Sequence, residues 1–272
     1  MYCRPLPLTH TEGTPVKRIL KIVGLVVLVL VIALAAALLP ALFGRRGVTD
    51  GVEVNGVRIV KDGMVSVAVV PAGEGKVALI DAGNDKAGQA ILAELSRRRL
   101  GADAVAAILI THGHPDHVAA IAQFPRAQVM ALEAEAALVE GRAGARGPLP
   151  RLFPVSPTGV TVNRTLHDGE TVTLGPTHIQ VFAVPGHTAG SAAYLVNGVL
   201  LMGDAADSDR DGNVIGSPWV FSDSQAQDRA SLVQLDQRLV RDHADITAIA
   251  FAHSGVLNEG LTPLTTFAQA NK

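Results

Sequence analysis

Three histidines and an aspartate crowd into one short run of this chain, His112-Gly113-His114-Pro115-Asp116-His117. The run follows the apolar stretch Val105–Ile110, which reads as a buried strand. Neutral imidazole and carboxylate are borderline-to-hard donors that suit zinc, iron or manganese. The only cysteine, Cys3, excludes a thiolate-rich site. The spacing therefore predicts a metal-binding loop at the end of a strand.

Further candidates lie downstream. His187 sits in Pro185-Gly186-His187-Thr188-Ala189-Gly190, Asp204 follows the apolar run Val199–Met202, and His253 follows Ile246–Ala252. Each polar residue stands where a hydrophobic run ends. In layered α/β folds such strand ends bring residues distant in sequence to one site. The pattern suggests a hydrolase that works with two metal ions. His10, His167, His178 and His243 belong to no such run and read as surface or structural residues. Gly186 and Gly190 read as glycines kept for backbone geometry.

With these motifs in hand, the chain resembles the metallo-β-lactamase superfamily from about Val52 onward. Asp81 in Ile80-Asp81-Ala82-Gly83 matches the first motif of that family, the His112 run the second, His187 the third, Asp204 the fourth and His253 the fifth. The resemblance implies an αββα sandwich with the metals in a cleft at one edge of two sheets. It implies two zinc ions, with iron or manganese as alternatives. His112, His114 and His187 would hold one ion, Asp116, His117 and His253 the other, and Asp204 would bridge them. Asp81 would orient a ligand imidazole from behind. Asp116 is the alternative candidate for orienting the nucleophile or carrying protons. The implied chemistry is attack by a metal-activated hydroxide on an ester, thioester or lactone.

The substrate is less legible. A bridging aspartate at 204 speaks against a true β-lactamase, which carries cysteine or serine nearby. The short stretch after His253 leaves little room for the glutathione-binding extension of the glyoxalase II branch. Asp207 stands where the acyl-homoserine lactonases carry tyrosine. Two other classes fit the same motifs: a mononuclear iron dioxygenase acting on persulfides, and a non-catalytic metal-binding module tethered to a membrane.

The second strong signal is N-terminal. Residues Ile22–Phe43 carry no charge. As a helix they would span roughly 33 Å at ~1.5 Å per residue, enough for a bilayer core. The reading is an N-terminal tail over 1–21, a transmembrane segment over 22–43, a linker over 44–51 and a catalytic domain over 52–272. A signal peptide cleaved near Ala35-Ala36-Ala37 is the alternative. Lys17, Arg18 and Lys21 outnumber Arg45 and Arg46 across the segment, which favours a catalytic domain outside the cytoplasm.

Length and composition agree with one catalytic domain plus an extension: 272 residues, of which 48% are hydrophobic, enough for a sizeable core. A net charge of −2 without a basic patch argues for a small-molecule substrate and against nucleic acid. The elements that must position the motifs are strands over 52–60, 65–70, 76–80 and 104–110, and helices over 84–99 and 132–140. Hairpins follow at 171–184 and 192–202, then a helix over 224–242 and a strand over 246–252. Residues 141–158, rich in glycine, proline and arginine, read as a long loop.

Overall fold

The computed structural model describes residues 15–272, so His10 and most of the expected tail lie outside the described residues. The chain forms two units, one ending at Phe43 and one spanning Gly44–Lys272.

The first unit is a single helix, α1 (Pro15–Phe43). Within it Val16–Ala36 is long and apolar enough to cross a membrane, with mean hydropathy 3.0, or to serve as a signal sequence. The span begins ahead of the expected Ile22 and takes in Lys17, Arg18 and Lys21 at its edge. Long cationic side chains are tolerated there because their aliphatic stems extend along apolar surface while the charge reaches water.

The second unit is built on two sheets. The first holds β1 (Glu53–Val54), β2 (Val57–Asp62), β3 (Val65–Pro71), β4 (Val77–Ile80), β5 (Val105–Leu109), β6 (Gln128–Leu132) and β7 (Arg164–Leu166), in that spatial order. Pairing is antiparallel up to β4 and parallel from β4 to β7. The stretch 52–60, read as one strand, is broken by a tight turn. Asn55 and Gly56 both adopt positive φ there, a combination asparagine and glycine tolerate best.

The second sheet holds β8 (Thr171–Leu174), β9 (Thr177–Ala183), β10 (Ala192–Val196) and β11 (Val199–Leu201). After a small ribbon of β12 (Ala206–Ser208) and β13 (Val214–Gly216), it resumes with β14 (Ala248–Phe251) and β15 (Gly255–Leu257), in the order β15-β14-β11-β10-β9-β8. Only β11 and β14 run parallel.

The helices are α2 (Gln89–Arg97), α3 (Pro115–Val118), α4 (Ala136–Val139), α5 (Gln225–Arg241) and α6 (Thr262–Ala270). Strand alternation sorts side chains into layers. On β3, Ala68 and Val70 pack between the sheets, while Val67 and Val69 pack outward with Ile91 and Leu95 of α2. On β10, Tyr194 and Val196 enter the central layer, while Ala193 and Leu195 face Leu232, Leu235 and Leu239 of α5. The result is the αββα sandwich the resemblance implied.

Helix α5 starts at Ser224, whose hydroxyl accepts from the Gln227 amide as an N-cap. Ala226 and Val240 are exposed on this helix. At ~100° per residue they lie roughly 80–120° round the helix from Leu232. The helices expected over 84–99 and 132–140 are shorter, α2 and α4, each entered through turns. Residues 141–158 form the expected loop, interrupted by one 3-10 turn at Pro150–Leu152. The second unit begins at Gly44, ahead of the expected start at Val52, and the segment expected to be a linker is bonded to it: the Arg46 amide donates to Ser208 O at 2.9 Å.

Candidate metal centre

Every motif residue sits just past a strand. Asp81 follows β4 and the His112 run follows β5. His187, Asp204 and His253 follow β9, β11 and β14. The two sheets meet at this end. The Ala192 amide donates to Thr111 O at 2.8 Å, the Ser66 amide to Ala252 O at 2.8 Å, and the buried Tyr194 hydroxyl to Ile110 O at 2.7 Å. The first sheet thus supplies His112, His114, Asp116 and His117, and the second supplies His187, Asp204 and His253.

Three nitrogens form a tight triangle. His112 Nε2 and His114 Nδ1 are 3.0 Å apart, His187 Nε2 and His114 Nδ1 3.0 Å, and His187 Nε2 and His112 Nε2 3.2 Å. A second group comprises Asp116, His117 and His253, with His253 Nε2 3.4 Å and His117 Nε2 3.9 Å from Asp116 Oδ2. Asp204 lies between them. Its Oδ2 is 3.6 Å from His187 Nε2 and 3.3 Å from His253 Nε2, and its Oδ1 is 3.4 Å from His117 Nε2. All seven candidate ligands therefore converge on one cluster. His167, His178 and His243 stay exposed and away from it.

The outer ring atoms explain the inner ones. His253 Nδ1 faces the Met64 carbonyl at 2.8 Å, an acceptor only, so this nitrogen carries hydrogen. His117 Nδ1 lies 2.8 Å from Asp81 Oδ2. The Thr111 hydroxyl donates to Asp81 at 2.7 Å, which leaves its oxygen to accept from His112 Nδ1 at 3.2 Å. The Ser222 hydroxyl donates to Pro218 O at 2.7 Å and so accepts from His187 Nδ1 at 3.0 Å. Four imidazoles are thereby fixed with Nε2 turned inward.

Lone pairs crowded as in the three-histidine triangle repel unless a cation lies among them. Zn–N bonds of ~2.0–2.1 Å in a tetrahedron give edges of roughly 3.3–3.4 Å, close to the triangle observed. His117 Nε2 and Asp204 Oδ1 are also buried without a hydrogen-bond partner. The donor set and the orphaned atoms both fit metal ions.

Charge divides the cluster in two. Burial pulls the His112 and His114 imidazoles down, and His187 to about 3, so this triangle is neutral. Burial also disfavours charge on His117 and His253. There, however, Asp204 prevails, aided by Asp81 and Asp116 at His117 and by Asp116 at His253. His117 rises well above the usual range and His253 to about 10. Against the upward push of burial, His253 and His117 hold Asp204 well below the usual carboxylate range. Against the same push, His117 and His253 bring Asp116 to about 2.

Some working residues carried no signal in sequence. Glu135, in an ordinary-looking Glu133-Ala134-Glu135 stretch, is buried. It accepts from the Gly113 amide at 2.7 Å, Thr188 Oγ1 at 2.9 Å and the Gly190 amide at 2.9 Å. It therefore clamps the His112 loop to the His187 loop. Burial raises its carboxyl to about 7 against those three bonds. A side chain at Gly190 would overlap the Glu135 backbone, which explains that glycine. Gly186 has φ 145 and presses on Asp228. Ser222 is a second missed residue, and Asp207 a third. Asp207 is buried, receives Ser254 Oγ at 2.8 Å and pairs with Arg45 at 2.9 Å. Burial leaves its carboxyl at about 6 in spite of Arg45.

Comparison with known proteins agrees with this geometry. The sequence profile described as "Metallo-beta-lactamase superfamily" matches residues 60–249. Among curated relatives, a hydroxyacylglutathione hydrolase of Idiomarina loihiensis is 29% identical over 150 residues, 55% of this chain and 49% of the relative. One from Serratia proteamaculans is 29% identical over 185 residues, 68% of this chain and 60% of the relative. The chain thus spans about half the length of the curated relatives it matches. Among solved structures, an archaeal metallo-beta-lactamase superfamily protein of Sulfolobus tokodaii aligns with TM-score 0.57 at 20% identity, over 80% of this chain and 86% of that one. BJP-1, a subclass B3 metallo-beta-lactamase of Bradyrhizobium japonicum, aligns with TM-score 0.58 at 18% identity, over 85% of this chain and 93% of that one. Those two likenesses speak for the fold. The profile match covers more than half of the sequence and includes Asp81, the His112 run, His187 and Asp204. The chain belongs to the metallo-beta-lactamase superfamily.

Proposed function

We propose that this chain is a binuclear hydrolase, with zinc as its metal, that cleaves a thioester or a related ester or lactone of a small molecule. The observation that carries the reading is the convergence of seven donor side chains, four of them imidazoles locked with Nε2 inward. His112, His114 and His187 would hold one ion, and Asp116, His117 and His253 the other. Asp204, with an oxygen toward each group, would serve both. Two ions bound there would make water acidic enough to attack near neutral pH and would polarise the scissile carbonyl.

The remaining work falls to the protein. Asp81 holds His117 directly and His112 through Thr111, fixing tautomer and aim. Glu135 keeps the two ligand loops in register. Asp116 is the more solvent-open carboxylate, with 26% of its side chain accessible against 8% for Asp204. Held near 2, it stays ionised at neutral pH. It therefore suits accepting a hydrogen bond from an incoming nucleophile better than storing a proton. The thioester preference rests on the curated relatives, which are named hydroxyacylglutathione hydrolases. The helix Val16–Ala36 supports tethering to a membrane. The excess of Lys17, Arg18 and Lys21 favours a catalytic domain outside the cytoplasm.

Metal quantification on the purified chain, followed by a panel of thioesters, esters, lactones and β-lactams, tests this reading. Two zinc ions per chain with thioester turnover is the expected result. A reproducible single iron with oxygen consumption on persulfides overturns it in favour of a dioxygenase. Metal binding without turnover leaves a tethered binding module.

A further inference from the structure

We infer that Arg45, in the segment that follows the N-terminal helix, is a positioning residue for the half of the metal centre built on Asp204 and His253. The inference rests on the metal reading of that cluster.

Arg45 stands two positions beyond the end of α1. Its Nε lies 2.9 Å from Asp207 Oδ2, and its side chain is only 15% accessible. The backbone is fixed alongside: Arg45 bridges to Asp209 in antiparallel fashion, and the Arg46 amide donates to Ser208 O at 2.9 Å. Asp207 itself is buried, three residues after Asp204. Its other oxygen accepts from Ser254 Oγ at 2.8 Å, and Ser254 follows His253. The Ser208 amide donates to the same Ser254 hydroxyl at 2.7 Å, and Ser208 Oγ donates to Ser254 O at 3.1 Å. The segment leaving Asp204 is thus stapled to the residue after His253, and the staple closes on a charge from residue 45.

The physical need is clear. A buried carboxylate requires a counter-charge, and removing one partner of such a pair leaves the other stranded. Without Arg45 the buried Asp207 carboxylate would have to take up a proton or turn toward water, and either change loosens its hold on Ser254. With Arg45 in place the charge is balanced away from the cluster, and Asp204 and His253 keep their 3.3 Å approach. The three-histidine group shares none of these bonds. Loss of Arg45 should therefore weaken the position that uses His253 more than the three-histidine position, which shares only Asp204 with it. A chain cut anywhere ahead of Gly44 keeps the staple, whereas one that starts after Arg46 loses it.

The test uses the full chain in detergent with zinc alone, titrated against a chromophoric chelator, together with the cobalt-substituted spectrum and thermal melting. Arg45→Ala and Asp207→Asn are compared with wild type and Arg45→Lys. Asp207→Asn breaks the pair from the other side and leaves the Arg45 cation, which is partly accessible and can reach water along its aliphatic stem, so a folding defect in Arg45→Ala leaves the question answerable. Second-sphere losses typically cost 10–100-fold in metal affinity, so the expected result is a loss of at least about tenfold for the second ion. The first ion should lose clearly less than the second, part of the cobalt band should shift, and Arg45→Lys should restore most of the second affinity. Second-ion affinity equal to wild type in both Arg45→Ala and Asp207→Asn overturns this inference alone. Equal weakening of both ions also overturns it, in favour of a general structural role. A wild-type chain that binds no metal overturns the functional reading and this inference with it.

Discussion

Asp81 Oδ2 lies 2.8 Å from His117 Nδ1, and the same carboxylate receives the Thr111 amide and hydroxyl at 2.7 Å each. One buried side chain thus aims two candidate ligands, His117 directly and His112 through Thr111. Asp81 does this from positive φ, 64°, a backbone conformation uncommon outside glycine and tolerated best by aspartate and asparagine. The strain is placed where a carboxylate must turn back toward the cluster.

Asp81→Asn should keep the shape while replacing an anionic acceptor with a neutral amide behind His117. Metal affinity should fall by about 10–100-fold, the usual cost of losing such a partner. Chelator competition measures it, and an unchanged affinity would remove Asp81 from its assigned role.

Asp204→Ala should abolish most activity while sparing the fold, because the side chain reaches both metal groups and makes no link in the core. A loss of 100-fold or more corresponds to about 2.7 kcal/mol of transition-state stabilisation. Activity within threefold of wild type, with an unchanged circular dichroism spectrum, would contradict the bridging assignment.

Metal loading should be stepwise and differ in its response to pH. The three-histidine group is neutral before metal arrives, with His187 at about 3, so the first ion displaces no proton near pH 7. His117 and His253 are protonated there, with His253 at about 10. The second ion must release those protons, so its affinity should rise with pH between 6 and 9 while that of the first stays flat. Calorimetry in buffers of different ionisation enthalpy counts the protons. Equal release for both ions would refute the asymmetry.

Asp228 offers a check on stability. It is buried in the first turn of α5, with Oδ1 unpartnered and Oδ2 accepting from the Ser217 amide at 3.0 Å. Burial raises its carboxyl from 3.8 to about 7. The folded chain therefore holds a proton that the unfolded chain has lost between pH 4 and 7, so stability falls as pH rises through that window. Asp228→Asn should be the more stable protein at pH 8, by up to about 4 kcal/mol, and should flatten the profile. Denaturant melts at pH 4.5 and 8 compare the two. A variant less stable than wild type at pH 8 would show that the carboxylate is favourable where it sits.

The candidate ligands were legible because each follows an apolar run and most stand beside a glycine. That pattern reports a strand end opening into a tight loop. The sandwich was legible through the same runs and the Asn197-Gly198 turn. What stayed hidden depends on contacts across the fold. Glu135 lies in a stretch that composition alone would leave in water, and only the approach of the His187 loop buries it. Ser222 and Arg45 act on residues far away in sequence. The ribbon of β12 and β13 is three residues on each side, too short and too polar to show alternation. Helix α6 carries three threonines and a proline in its first five residues, which masked its apolar face.

The candidate ligands are divided between the two sheets, His112, His114, Asp116 and His117 on one and His187, Asp204 and His253 on the other. Any ion held by this set is therefore a rivet through the seam of the sandwich. The spacing of the layers becomes a quantity the ion can sense. A core substitution that widens the seam by a few tenths of an ångström, far from any donor atom, would register first as a leak of metal and only later as a loss of fold.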